Sequence, residues 1–318
     1  MGFGPKLFQF HKKETQYTLR LIPLGGYCMM LSEDDEENEN DENSFEKKSI
    51  WARMAVVLAG PAMNFVIAFL FSMVIIHFCG SDPAIIGAVY NKDNIEKYQI
   101  ENAEEYFNGV YPAEEAGISD GDRVLKIEGS TVKNFRELQI YLQIYGDGSP
   151  IDLTLEKEDG TVYDTTVHPA KTPDGYKIGI MSVGYQLPKN FGELCKYSAY
   201  ETRYWVKATF LSLKLIVTRQ VSSDEVSGPV GVAKNMNDTF NEAAKSSVLD
   251  LFLNWMNYIV LLSANLGVMN LLPIPGLDGG RFIFLLIEAV TRKKVPKDKE
   301  NIVTLIGFVL VMLLMVVI

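Results

Sequence analysis

Uncharged apolar runs dominate three stretches of the 318-residue chain. Met54–Phe78 holds 25 residues without Asp, Glu, Lys or Arg. As a helix this run would measure about 37 Å, against roughly 30 Å of bilayer hydrocarbon. Leu251–Leu277 is a second run, and Ile302–Ile318, with 17 residues, stands at the lower limit for a span. A buried core helix is the alternative for any one run, but together they predict a multi-pass α-helical membrane protein.

Basic residues flank these runs in a pattern that predicts their orientation. Lys47, Lys48 and Arg53 precede or open the first run, and five more lie between the second and third runs: Arg292, Lys293, Lys294, Lys297 and Lys299. Short loops rich in Lys and Arg stay cytoplasmic. With two spans between the two clusters, both are predicted to be cytoplasmic, and residues 80–250 to lie on the extracytoplasmic side.

The predicted extracytoplasmic segment has the alternating strands and glycine turns of a small α+β domain. Arg123–Ile127 reads as a strand, Asn134 as the N-cap of a helix, and the strands around Asp159-Gly160 as a hairpin. The string GVYPAEEAGISDGDRVLKIEGSTV within it resembles a PDZ domain. That resemblance implies binding of peptide ends at a groove between a strand and a helix. A structural domain that binds nothing is the alternative.

Aromatic and basic residues alternate between Phe191 and Arg219. Such an amphipathic helix suits a membrane interface, and packing on the preceding domain is the alternative. We therefore divide the chain into five parts. They are a membrane-associated β region with an acidic cytoplasmic loop (1–50), a transmembrane helix (51–80), the PDZ-like domain (81–188), an interfacial helix and linker (189–248), and C-terminal transmembrane helices (249–318).

The second apolar run ends in Asn270-Leu271-Leu272-Pro273-Ile274-Pro275-Gly276-Leu277-Asp278-Gly279-Gly280. Two prolines and three glycines break a helix, and irregular backbone at membrane depth is tolerated only within protein or beside a cavity. Asp278 is the one carboxylate of this string. Its oxygens suit a zinc ion, but capping of the next helix explains the residue equally well.

The pattern N-x-x-P-x-P-x-L-D-G-G resembles a signature of the site-2 proteases, the M50-type zinc intramembrane metalloproteases. The resemblance implies that Asp278 is a Zn²⁺ ligand supplied by a late span. It also implies supporting or substrate contacts by Asn270, Pro273, Pro275 and Gly279.

Two further segments follow the order of that family. Gly25 and Gly26 end an alternating stretch that resembles its membrane-associated β region, whose exposed edge would accept an unwound substrate strand. Gly60 and Asn64 share one helix face in a span similar to the family's next one. Ordinary helix packing through a small residue is the alternative for this pair.

The chain departs from the family pattern at its most important motif. His-Glu-x-x-His, which would supply two zinc ligands and the catalytic Glu, is not in the sequence; His11, His77 and His168 are far apart. The resemblance begins just after the position expected for that span. We therefore expect an N-terminal truncation, through a misplaced start or a fragmentary gene. Because catalytic zinc needs three protein ligands, we also expect the polypeptide as written to be inactive.

These observations favour a zinc endopeptidase that cleaves single-span membrane proteins during regulated proteolysis in the bacterial inner membrane. A non-catalytic membrane scaffold that binds peptides through the PDZ-like domain is the alternative. A transporter is disfavoured because no inverted repeat is present. The net charge of −10 and the lack of a basic cluster disfavour a nucleic-acid partner.

Overall fold

The computed structural model describes residues 3–12, 15–22, 44–92, 107, 109–173, 175–218 and 229–317. Its helices are α1 (Ile50–Cys79), α2 (Pro112–Glu115), α3 (Phe135–Tyr145), α4 (Phe191–Val217), α5 (Pro229–Ser246), α6 (Val248–Leu271), α7 (Asp278–Thr291) and α8 (Lys297–Val317). Its strands are β1 (Phe3–Lys12), β2 (Thr15–Ile22), β3 (Ile86–Val89), β4 (Arg123–Ile127), β5 (Ser130–Thr131), β6 (Ile151–Glu156), β7 (Val162–Val167), β8 (Ala170–Thr172), β9 (Gly175–Lys177) and β10 (Ile180–Ser182).

Strands β1 and β2 form an antiparallel hairpin that presents apolar side chains to its surroundings. Phe8 pairs with Leu19 and Phe10 with Tyr17, and the rings of Phe10 and Tyr17 stack 4.9 Å apart. All four side chains are at least 45% exposed. A two-stranded sheet is marginal alone in water, so this face suits contact with lipid or another chain. The predicted glycines after β2, Gly25 and Gly26, lie outside the described residues.

Helices α1 and α6 are the two helices in the described part of the chain that are long and apolar enough to cross a membrane. Ser49 begins α1, because its hydroxyl accepts a hydrogen bond from the Ala52 amide at 3.3 Å. Gly80, with φ +82°, ends it. The third predicted run lies in α8, which is a 21-residue helix but is not among these two candidates.

An α+β domain is inserted between α1 and α4. The chain enters it at Ser81 and leaves it at Gln186, and these residues exchange two backbone hydrogen bonds of 2.9 and 2.8 Å. Its four-stranded antiparallel sheet has the order β5-β4-β6-β7, and β10 pairs with β3. Helix α3 covers the sheet, and its Leu138 is completely buried. We call residues 81–186 the inserted domain.

Two helices connect the inserted domain to α6. The segment predicted to be an amphipathic helix contains α4, which packs on α1, on α6 and on the inserted domain. The sequence predicted a linker after this helix, up to residue 248, whereas Pro229–Ser246 forms helix α5. The Phe240 ring of α5 stacks on Trp255 of α6 at 4.3 Å. Proline is tolerated in the first turn of a helix because its missing N–H has no intrahelical partner there.

Candidate functional site

The antiparallel packing of α1 and α6 determines where α6 ends. Phe65 of α1 lies so close to Gly267 that a Cβ built on this glycine would be 2.7 Å from the ring. One turn further along α1, Ala68 packs with Val260 and Ala264, and all three are fully buried. Counting back along α1 from these contacts, the C-terminal end of α6 lies near Gly60. This level is ten residues, or about 15 Å, from the start of α1.

The backbone breaks at this level, as the prolines and glycines predict. Helix α6 ends at Leu271, and Leu272 is extended with φ −63° and ψ 143°. The Ile274 amide donates to the Leu272 carbonyl at 2.7 Å, and Gly276 has φ +95°. Helix α7 then begins at Asp278. We call residues 272–277 the break loop.

Glycines allow the break loop to pack closely on the helices around it. A Cβ on Gly280 would lie 2.5 Å from the Ile274 carbonyl oxygen, and one on Gly279 would lie 2.6 Å from the Leu271 carbonyl oxygen. From the other side, a Cβ on Gly307 of α8 would overlap the Pro275 carbonyl group. The break loop is therefore packed between the start of α7 and α8, although Pro273 and Gly276 remain exposed. Contact with protein on two sides is the setting in which irregular backbone at membrane depth is tolerated.

Asp278 lies directly against α1. A Cβ on Gly60 would be 3.2 Å from Asp278 Oδ2, so a side chain at position 60 would displace the carboxylate by a few tenths of an ångström. Helix α7 has no side-chain capping hydrogen bond at its N-terminus. Among the described residues no group donates a hydrogen bond to this carboxylate. The capping explanation for Asp278 is therefore not supported, and the charge of Arg281 is the one that acts on its carboxylate within the described residues.

The described residues contain no group of three or more His, Cys, Asp or Glu side chains that could hold a metal ion. Asp278 is one carboxylate, and a catalytic zinc has three protein ligands. These residues therefore fit a partial zinc site, with one suitable ligand, and do not form a complete one.

The other predicted site residues surround Asp278 unequally. Gly60 contacts it, whereas Asn64 lies one helical turn further along the same face of α1. Asn270 is the penultimate residue of α6, and Pro273 and Pro275 belong to the break loop. No hydrogen bond from Asn64 or Asn270 is present among the described residues, so their supporting role stays a prediction.

Sequence reasoning missed the contacts that hold the site from a distance. Gly307 contacts Pro275, which is 32 positions earlier, and Arg53 binds Glu288, which is 235 positions later. The only sequence signal for the first was a glycine within an apolar run. For the second it was Arg53 as the one Asp, Glu, Lys or Arg residue of α1 and Glu288 near the end of α7.

A second candidate site is a cavity of about 590 Å³ in the inserted domain. It lies between α3 and the chain from Gly175 to Ile180. Its apolar lining includes Phe107, Leu142 and Ile178, and Gln139 adds a polar group. A cavity of this size, between a helix and an extended segment, is large enough for a few peptide residues.

Ion pairs connect α3, beside this cavity, to α4. The buried Glu137 carboxylate accepts hydrogen bonds from Arg203 at 2.9 and 3.0 Å, and Lys207 lies 3.7 Å away. Arg136 binds Glu201 at 2.5 Å, and its guanidinium lies 4.3 Å from the Tyr204 ring centre. Helix α4 is thus held to the inserted domain, which supports the packing alternative for this helix.

Burial changes the ionisation of two carboxyl groups at this junction. Burial raises the pKa of the Glu201 carboxyl, although the Arg136 guanidinium opposes the rise. Burial also raises the pKa of the Asp82 carboxyl, against the opposing effects of the Ser182 hydroxyl and Arg136. Both residues line a cavity of about 500 Å³ between the inserted domain and the ends of α1 and α6.

Comparison with known protein families gives one match that covers nearly the whole chain. The model of the family described as peptidase family M50 matches residues 1–314.

Curated relatives agree with this family match. A candidate zinc metalloprotease of Clostridium acetobutylicum is 36% identical over 320 residues, covering 100% of this chain and 85% of the relative. The zinc metalloprotease RasP of Geobacillus kaustophilus is 30% identical, covering 100% of this chain and 88% of the relative. The regulator of sigma-W protease RasP of Bacillus subtilis is 28% identical with the same coverage. The names of the first two imply a Zn²⁺ cofactor for those proteins.

Proposed function

The chain belongs to peptidase family M50, and on that basis we propose that it is a zinc-dependent intramembrane endopeptidase, a site-2 protease. Asp278 supplies one zinc ligand. The observation that carries this proposal is its carboxylate, which lies against Gly60 at the break between α6 and α7 and is not used as a helix cap. Bound zinc would polarise a peptide carbonyl group and lower the pKa of water.

The remaining ligands are proposed to come from a segment with a His-Glu-x-x-His motif, which this sequence does not contain. The α1 surface beside Asp278 is open to such a segment. Val56, Met63, Val66 and Leu70 are each at least 46% exposed there, and Gly60 is exposed among them. A second apolar helix could pack on this surface and place its side chains near Asp278. Without it, the 318 residues are proposed to be inactive.

The substrates are proposed to be single-span membrane proteins, cleaved in the bacterial inner membrane during regulated proteolysis. The protease name of the Bacillus subtilis relative, which refers to sigma-W, supports a regulatory role. A substrate helix must unwind before a peptide bond is accessible, and its freed backbone then needs partners. The edges of the β1–β2 hairpin, which Gly25 and Gly26 follow in the sequence, are proposed to provide them.

The inserted domain is proposed to be extracytoplasmic, in a multi-pass chain. Arg53 near the start of α1 binds Glu288 near the end of α7, so both basic segments lie at the same end of the helices. That arrangement supports a common cytoplasmic location for them. The inserted domain follows the opposite end of α1, at Gly80.

The test is cleavage of a single-span reporter in membranes. The chain preceded by a helix with His-Glu-x-x-His is expected to cut the reporter, and the chain alone is not. Asp278→Asn, which keeps the shape and removes the charge, is expected to abolish cutting. Cutting that survives this substitution would remove Asp278 from the site.

A peptide-binding scaffold is a second candidate function, and the cavity beside α3 favours it. The inserted domain is proposed to be PDZ-like and to bind peptide ends there, with Phe107, Leu142 and Ile178 as apolar contacts for the terminal side chain. Calorimetric titration of the full chain with a peptide that ends in Val tests this. Leu142→Glu is expected to prevent binding, and the same peptide with an amidated end serves as the control. Equal binding of the two peptides would contradict recognition of a chain end.

A further inference from the structure

Helix α7 is attached to α1 at two places. At its first residue, Asp278 lies against Gly60. Ten residues later, Glu288 forms a two-point ion pair with Arg53, with distances of 2.5 and 3.1 Å. The two helices are therefore antiparallel here. The attachments are about 10 Å apart along α1 and about 15 Å apart along α7.

The Arg53–Glu288 pair is shielded from solvent. The side chains are 9% and 16% exposed. Met54, Val57 and Leu285 form a buried apolar cluster with Phe45 at the same end of the helices. Little water screens the two charges in such surroundings, and removal of one partner would leave the other charged and buried.

This ion pair limits how α7 can move relative to α1. If α7 moved along its axis by one residue, it would shift by about 1.5 Å and turn by about 100°. That movement would carry the Asp278 side chain away from Gly60. A planar guanidinium bound at two oxygens of a carboxylate resists both movements. Helix α7 packs chiefly on α1 and little on α6, so α1 is its main support.

We propose that Arg53 and Glu288 are positioning residues for Asp278. They fix the axial and rotational register of α7, and this register holds the Asp278 carboxylate at the Gly60 surface. The contact itself is a property of this chain and needs no metal. Its consequence for zinc binding rests on the proposed function.

Disulfide cross-linking in membranes tests the register directly. The reference protein has Gly60→Cys and Asp278→Cys, with Cys28, Cys79 and Cys195 replaced by Ser. A Cβ at position 60 would lie 3.2 Å from Asp278 Oδ2, so cysteines at the two positions face each other, and copper phenanthroline with air is expected to join them. Arg53→Gln or Glu288→Gln is expected to slow this cross-link by about tenfold, because small displacements take paired cysteines out of range.

Charge exchange and two controls separate positioning from general damage. Arg53→Glu with Glu288→Arg is expected to restore the reference rate. Arg203→Gln, which removes an ion pair between α3 and α4, is the matched control and is expected to leave the rate unchanged. An Ala68→Cys and Ala264→Cys pair, which joins α1 to α6, should cross-link equally in every variant and so report an intact bundle.

The proposal is overturned if Arg53→Gln cross-links positions 60 and 278 at the reference rate, or if charge exchange fails to restore that rate. A second measurement is the zinc content of the chain preceded by a His-Glu-x-x-His segment, with the three native cysteines replaced by Ser and with Gly60 and Asp278 retained. Absence of zinc there, with the cross-linking results as expected, would reject the proposed protease and leave the positioning role standing.

Discussion

The approach of Asp278 to Gly60 offers a substitution that should separate stability from zinc binding. Replacing Gly60 by Ala adds a methyl group 3.2 Å from Asp278 Oδ2. That separation is a few tenths of an ångström shorter than ordinary van der Waals contact. The carboxylate must therefore move away from α1 by a similar amount. A zinc ligand tolerates displacement of only about 0.2 Å.

The folding free energy should change little in this variant. Alanine is favoured over glycine in a helix interior by about 1 kcal/mol. Pro61 opposes this gain, because a Cβ on the preceding residue is disfavoured in the helical conformation. The carboxylate can rotate to relieve the methyl contact. We expect the free energy of unfolding to stay within about 1 kcal/mol of the starting protein.

Zinc affinity should fall by about tenfold, because loss of the groups that orient a metal ligand typically weakens metal binding by about 10- to 100-fold. The assay is competition with a chromophoric chelator, using the chain preceded by a His-Glu-x-x-His helix. Ala59→Gly, one residue earlier, is the matched control. It should cost about 1 kcal/mol of stability and leave zinc affinity unchanged. Equal zinc affinity in Gly60→Ala and the starting protein would refute the reasoning from the contact.

Three further predictions concern the break loop, the inserted domain and pH. Gly307→Ala should destabilise the chain by about 1–3 kcal/mol through overlap with Pro275, measured by thermal unfolding in detergent, whereas exposed Ile306→Ala should not. Glu137→Gln should lower the free energy of unfolding in urea by about 3 kcal/mol, because it leaves Arg203 and Lys207 beside a buried neutral amide. A loss below about 0.5 kcal/mol, which is typical of surface substitutions, would contradict this. Burial raises the pKa of the Asp82 carboxyl in the folded state. The contribution of Asp82 to the free energy of unfolding is therefore fully present at low pH and is lost as pH rises through the folded-state pKa. Asp82→Asn should therefore gain stability relative to the starting protein as pH rises from 4 to 7, and a constant difference would contradict the shift.

The sequence predicted best those features whose cause lies in neighbouring residues, such as an apolar run, an N-cap or a pair of prolines. The 25-residue uncharged run became α1, and Asn134 became the N-cap of α3, accepting a hydrogen bond from the Glu137 amide at 2.8 Å. The prolines before Asp278 predicted the break, although the apolar run itself continues to Leu277. Local rules were sufficient for these features because their causes are local.

Features that depend on distant residues could not be predicted from the chain alone. The approach of Gly60 to Asp278 depends on how α7 packs on α1, and the same is true of the Arg53–Glu288 pair. Helix α5 lies within the segment that was predicted to be a linker, and its first residue, Pro229, is compatible with a helix because proline suits a first turn. The zinc site could be predicted only as one ligand, since the remaining ligands have no candidates in this sequence.

Zinc stoichiometry tests the central claim most directly. The protein would be purified in detergent in three forms: the chain alone, the chain preceded by a His-Glu-x-x-His helix, and the latter with Asp278→Ala. Metal analysis is expected to find close to one zinc per protein in the second form and little in the other two. Equal zinc with and without the Asp278 carboxylate would contradict its role as a ligand, and no zinc in any form would contradict the metalloprotease itself.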